Sequence, residues 1–149
     1  MPVPLVLVPG FWLGAWAWDE VVAELQAAGH EAVAITLPGL EDHNEDRESV
    51  TLADHVDAIR HAVEGAGDRV VLAVHSGAGV PGYKATDRIA DRIAAMVYVD
   101  TGPATGALNA DFDEPVWEFP GVEQLREEEN LDGLTDAHLA RFEERAVPE

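Results

Sequence analysis

Cysteine is absent from the chain, so no disulfide or thiolate metal site can form, and a reducing compartment, the cytoplasm, is the expected location. Basic side chains are scarce. Nine Lys and Arg, with Lys84 the single lysine, stand against 29 Asp and Glu, for a formal net charge of −20. A chain this acidic lacks the positive face that phosphates need, which argues against a nucleic-acid partner. No apolar run reaches the roughly 18 residues of a membrane span, and no basic n-region follows Met1. Neither a membrane helix nor a signal peptide is therefore expected. Serine occurs twice, at Ser49 and Ser76.

Within 149 residues, 47% are hydrophobic and 26% charged, which suits one folded domain with a sizeable core. The charge is uneven: residues 101–149 hold 13 acidic and 3 basic side chains, half of the net charge.

Four apolar runs read as strands buried on both faces: Pro4–Val8, Glu31–Leu37, Arg69–Val74 and Ile93–Val99. Helical patterns lie between them. From Trp18 to Ala28 a stripe of Trp18, Val21, Val22 and Leu25 ends at Gly29. Thr51-x-x-Asp54 is a capping box for a second helix, whose apolar face is Leu52, Val56, Ile59 and Val63. A third pattern runs from Gly77 to about Asp91, with Pro81 tolerated near its first turn. This alternation predicts an α/β fold, a three-layer sandwich around a mostly parallel sheet with right-handed crossovers. After residue 102 the character changes to a loop and short acidic helices, one opened by Thr135 with Leu134, His138, Leu139 and Phe142 on its apolar side. The expected division is a core over residues 1–102 and a lid over 103–149.

Ligands of open parallel sheets bind beyond the carboxyl ends of the strands. Those ends are Pro9-Gly10-Phe11-Trp12, Pro38-Gly39-Leu40, His75-Ser76-Gly77 and Asp100-Thr101-Gly102. Ser76 reads in two ways: as a cap at a strand-to-helix turn, or as a nucleophile on a tight elbow. A nucleophile there needs two backbone donors for the oxyanion. Gly77 N–H is one, and Phe11 N–H the other, brought close because Gly10 has no side chain. Trp12 and Trp117 either line a pocket or pack in the core, whereas Trp16 and Trp18 read as core. Asp100 is either a turn residue or an acid partner. Asp42, His43, Glu45 and Asp46 form a hydrated acidic loop in preference to a metal site.

The segments "LVLVPGFWLGAWAWDEVVAELQAAGHEAVAITLPGL" and "VVLAVHSGAGVPGYKATDRIADRIAAMVYVD" resemble the α/β-hydrolase family, and within it the branch of small carboxylesterases, plant methylesterases and hydroxynitrile lyases. The likeness covers residues from about 4 to 102. It implies Ser76 as nucleophile, Phe11 and Gly77 as oxyanion donors, and no cofactor or metal. Gly10, Trp12, His75 and Trp117 are expected to contact the substrate. Pro9 stands where the branch has His, and Val74 and Ala78 where the serine motif has glycines. Val74 is the bulkier departure. Gly10, where lyases of the branch carry Thr, favours ester hydrolysis.

The family order is serine, acid, histidine. No histidine of the chain has a position that warrants the role of base: His75 is adjacent to Ser76, where neighbouring side chains point apart, and His30, His43, His55, His61 and His138 fall on helices or loops. The base is therefore expected outside this sequence, on a further stretch of roughly 80 residues by family resemblance. The activity predicted is hydrolysis of a small ester through an acyl-enzyme. Its rival is a non-catalytic protein binding a small apolar ligand on the same fold. A phosphate-binding domain is disfavoured because "HSGAGVPG" lacks G-x-G-x-x-G spacing. The run Ile93–Val99 would lie at a sheet edge, which predicts self-association or a C-terminal fragment covering it.

Overall fold

The computed structural model describes all residues except Met1, Asn44, Glu45, Thr105, 107–110, Phe112 and Pro115. Four parallel strands, β1 (Leu5–Val8), β2 (Ala32–Ala34), β3 (Val70–His75) and β4 (Ile93–Val99), form a sheet in the order β2-β1-β3-β4. Between them run α1 (Asp19–Ala27), α2 (Leu52–Ala66) and α3 (Gly79–Ile89), and α4 (Val122–Glu128) and α5 (Asp136–Arg145) follow. Right-handed crossovers in this order put α1 on one face and α2 and α3 on the other. The three-layer α/β arrangement predicted from the pattern is the one observed.

The main core lies under α2 and α3. Val6, Val8, Leu72 and Val74 share one face of the sheet and meet Val56, Ile59, Val63, Ala85 and Ile89, all buried. Each Val, Ile or Leu side chain among them removed from water contributes about 1.5–3 kcal/mol. The Thr51–Asp54 capping box forms as expected, with Thr51 Oγ1 accepting from Asp54 N–H and the Asp54 carboxylate accepting from Thr51 N–H at 2.7 Å. Leu52, placed on the apolar face by sequence, is exposed instead, at the first position of α2 after the Thr51 cap.

Other boundaries also move. β2 is shorter than Glu31–Leu37, because the Thr36 hydroxyl accepts from Ala15 N–H at 2.9 Å and draws the chain off the sheet. The stripe of α1 is only half covered, with Val21 42% exposed. The third helical pattern divides: Ser76–Ala78 form a 3-10 turn before α3, and Ala90–Arg92 another after it. In the C-terminal segment Leu139 is buried and Leu134 exposed, so the apolar side of α5 is narrower than predicted.

α5 is fastened to the start of α1. Phe142 packs on Trp16 with ring centroids 5.6 Å apart, and the Arg145 guanidinium lies 5.3 Å from the same ring. His138 contributes its Nδ1 to the Thr135 cap and sets Nε2 2.7 Å from the Glu20 carboxylate. The C-terminal segment is thereby held over the carboxyl ends of the strands. Among the described residues, no helix is long and apolar enough to cross a membrane.

Candidate active site

The strand order reverses between β1 and β3, and at such a switch point the loops leaving the two strands part to open a crevice. Gly10 follows β1 and Ser76 follows β3. Their backbones approach so closely that a Cβ on Gly10 would stand 3.0 Å from Ser76 Cβ and 2.8 Å from His75 Nδ1. A Cβ on Gly77 would lie 2.5 Å from the Phe11 ring. The two loops expected to carry the backbone donors are thus in contact, and glycine is required at both.

Strain collects here. Among the described residues, the non-glycine positions with positive φ are Trp12 (65°), Ser76 (47°) and Asp100 (52°), and all three line one cleft of about 500 Å³. A left-handed conformation costs an L-residue roughly 1–2 kcal/mol, so each is held by its surroundings. The hold on Trp12 is visible. Its N–H donates to Glu149 Oε2 at 3.1 Å, its carbonyl accepts from Val147 N–H at 2.9 Å, and its Nε1–H donates to the Trp117 carbonyl at 3.0 Å. Asp100 follows β4, and Thr101 after it packs against Gly79, where a Cβ would meet Thr101 Oγ1 at 2.6 Å.

Val74, the bulky departure from the serine motif, is fully buried without displacing the elbow. Its Cγ1 occupies the space a Cβ on Gly82 would fill, 2.5 Å away. A missing side chain on α3 accommodates the larger one on β3.

Aromatic rings form one wall of the cleft. Trp12 and Trp117 meet edge to face at 4.9 Å, as do Trp12 and Phe119 at 5.8 Å, and Phe11 and Trp117 pack tilted at 5.0 Å. Trp12 and Trp117 therefore line the pocket and pack on each other at once. Sequence reasoning passed over Phe119 and Glu149. "EFPG" directly after Trp117 was the available signal for the first, and nothing local marks the second.

His75 lines the same cleft as Ser76. Burial holds its imidazole below the ordinary histidine range, and the Asp100 charge partly opposes this. The ring meets Trp18 edge to face at 6.4 Å. Other histidines are engaged elsewhere: His55 Nε2 lies 3.0 Å from the Pro38 carbonyl, and His138 spans Thr135 and Glu20. Within the acidic loop, Glu45 lies outside the described residues, and His43 Nε2 is 3.5 Å from the Glu144 carbonyl.

A parallel sheet with a left-handed serine at the switch point, between a glycine-bearing loop and a helix N-terminus, is the architecture of an α/β hydrolase. The chain belongs to the alpha/beta hydrolase family, whose sequence profile matches residues 5–148. It is 38% identical over 98 residues to Esterase PIR7B of Oryza sativa subsp. japonica, a match covering 63% of this chain and 37% of that protein. Methylesterase 7 of Arabidopsis thaliana is 34% identical over 98 residues, covering 63% of this chain and 38% of the relative. Among solved structures, a polyneuridine aldehyde esterase mutant superposes with a TM-score of 0.78 at 19% identity, over 99% of this chain and 69% of that one. An extracellular α/β-hydrolase from a Paenibacillus species gives 0.72 at 24% identity, over 99% and 67%. The matched segment thus spans well under half of the curated relatives' length.

Proposed function

We propose that the chain carries the nucleophile and oxyanion hole of a serine esterase acting on small carboxylic esters. The observation that carries this reading is Ser76 at φ 47° on the turn between β3 and α3. On this reading Ser76 Oγ bonds to the acyl carbon as its proton passes to a base. The oxyanion accepts from Gly77 and Phe11 N–H, the alcohol leaves with a proton, and water releases the acid from the acyl-enzyme. Asp100 is assigned as the acid acting through an imidazole. No histidine of residues 1–149 is assigned as the base, which the family's chain order places after the acid. Gly10, Trp12, His75 and Trp117 contact the substrate, residues 103–149 form the lid over the core of 1–102, and the cytoplasm is the compartment. A second copy or a C-terminal fragment covers the β4 edge. Esterase and methylesterase relatives support the reaction class.

The test is a fluorophosphonate probe, with p-nitrophenyl acetate turnover measured alongside. Labelling confined to Ser76, with both signals lost in Ser76→Ala, is the expected result. Turnover that survives Ser76→Ala overturns the proposal. A second reading, a binding protein without turnover, is favoured by Pro9, which stands where the branch has His before Gly10; it predicts no labelling and unchanged ligand affinity in Ser76→Ala.

A further inference from the structure

The cleft above Ser76 combines two features that a neutral ester does not explain together. One wall is a set of aromatic rings, Trp12, Trp117 and Phe119, inclined to one another at 63° to 75° so that their faces do not share one direction. Among the described residues, the remaining lining carries three carboxylates, Asp100, Glu128 and Glu129, and neither Lys nor Arg. All three carboxylates are exposed, so they give the mouth of the cleft a negative potential that a neutral occupant leaves uncompensated. A cation does both jobs: it is attracted to aromatic faces through the ring quadrupole and neutralises the carboxylate field. The surroundings reinforce that field, since residues 101–149 contribute 13 acidic and 3 basic side chains. A concave, low-dielectric cleft focuses such a potential.

We infer that this cleft selects substrates bearing an ammonium group, quaternary or protonated tertiary, seated against Trp12 and Trp117 with Glu128 and Glu129 at the rim. Esters bearing a carboxylate are excluded by the same field. As a statement about substrate it rests on the esterase reading; as a statement about binding it does not.

A matched pair separates the two. Acetylcholine and 3,3-dimethylbutyl acetate have nearly the same shape and differ in charge. On the intact protein at low ionic strength, kcat/KM for the cationic ester is expected to exceed that for its isostere by about tenfold. The ratio should shrink with added salt and in the Glu128→Gln/Glu129→Gln double variant. Choline and 3,3-dimethylbutan-1-ol are titrated in parallel by tryptophan fluorescence, which needs no turnover, and choline is expected to bind more tightly. Equal binding of the two alcohols, or equal turnover of the two esters, overturns the inference while leaving the hydrolase standing. Preferential choline binding without turnover of either ester supports the inference and counts against the esterase reading. If the double variant fails to fold, the salt dependence of the unsubstituted protein decides.

Discussion

At the scale of single residues, the site is built from side chains that are missing as much as from those present. Gly10 and Gly77 allow the β1 and β3 loops to touch, and Gly82 makes room for Val74. Titratable groups add a pH dependence of opposing signs. Burial raises Glu149 from 4.5 to about 7, so the folded chain takes up that proton before the unfolded one does. Its contribution to stability is present at low pH and lost as pH rises through about 7. Burial lowers His55 and His75 from 6.5, so their contribution is present above 6.5 and lost as pH falls below it. Glu149→Gln keeps an acceptor for Trp12 N–H but removes the first effect. Its melting temperature should therefore fall more steeply than the parent's on acidification from neutral pH. Parallel curves would show that Glu149 does not titrate as argued.

At the scale of elements, β4 is an edge strand of the sheet with exposed apolar side chains. Val97 and Val99 are 43% and 38% exposed, on the face where β3 presents the buried Ala73. An apolar strand with one unpaired edge is a template for further pairing. Sedimentation velocity should show concentration-dependent association that Val97→Lys reduces, with an unchanged circular dichroism spectrum. A parent protein monomeric at every concentration would rule out pairing through β4. Elements were also the most legible level of the sequence. The Thr51 and Thr135 caps and all four strands were readable, because caps and buried runs are local patterns. The shortening of β2 was not, since it depends on Thr36 reaching Ala15 from another segment.

For the whole molecule, a net charge of −20 at this length means self-repulsion in the compact state. Raising ionic strength from roughly 0.01 M to 0.15 M shortens the screening length from about 30 Å to about 8 Å. The melting temperature should rise over that range by several degrees. A flat or falling profile would mean that local ion pairs, such as Arg88–Asp57 at 2.8 Å, outweigh the overall repulsion.

By itself the sequence determined the parallel α/β order, the caps and the serine at the end of β3, because strand burial, helix periodicity and turn chemistry are each written within a few neighbouring residues. Tertiary structure decided the rest. The left-handed backbone at Trp12, Ser76 and Asp100, the Val74–Gly82 fit and the meeting of Trp12 with Trp117 and Glu149 all join segments far apart in the chain. No local propensity favours a positive φ at tryptophan or a half-buried carboxylate beneath it. Both persist because packing and hydrogen bonds from distant residues outweigh their local cost.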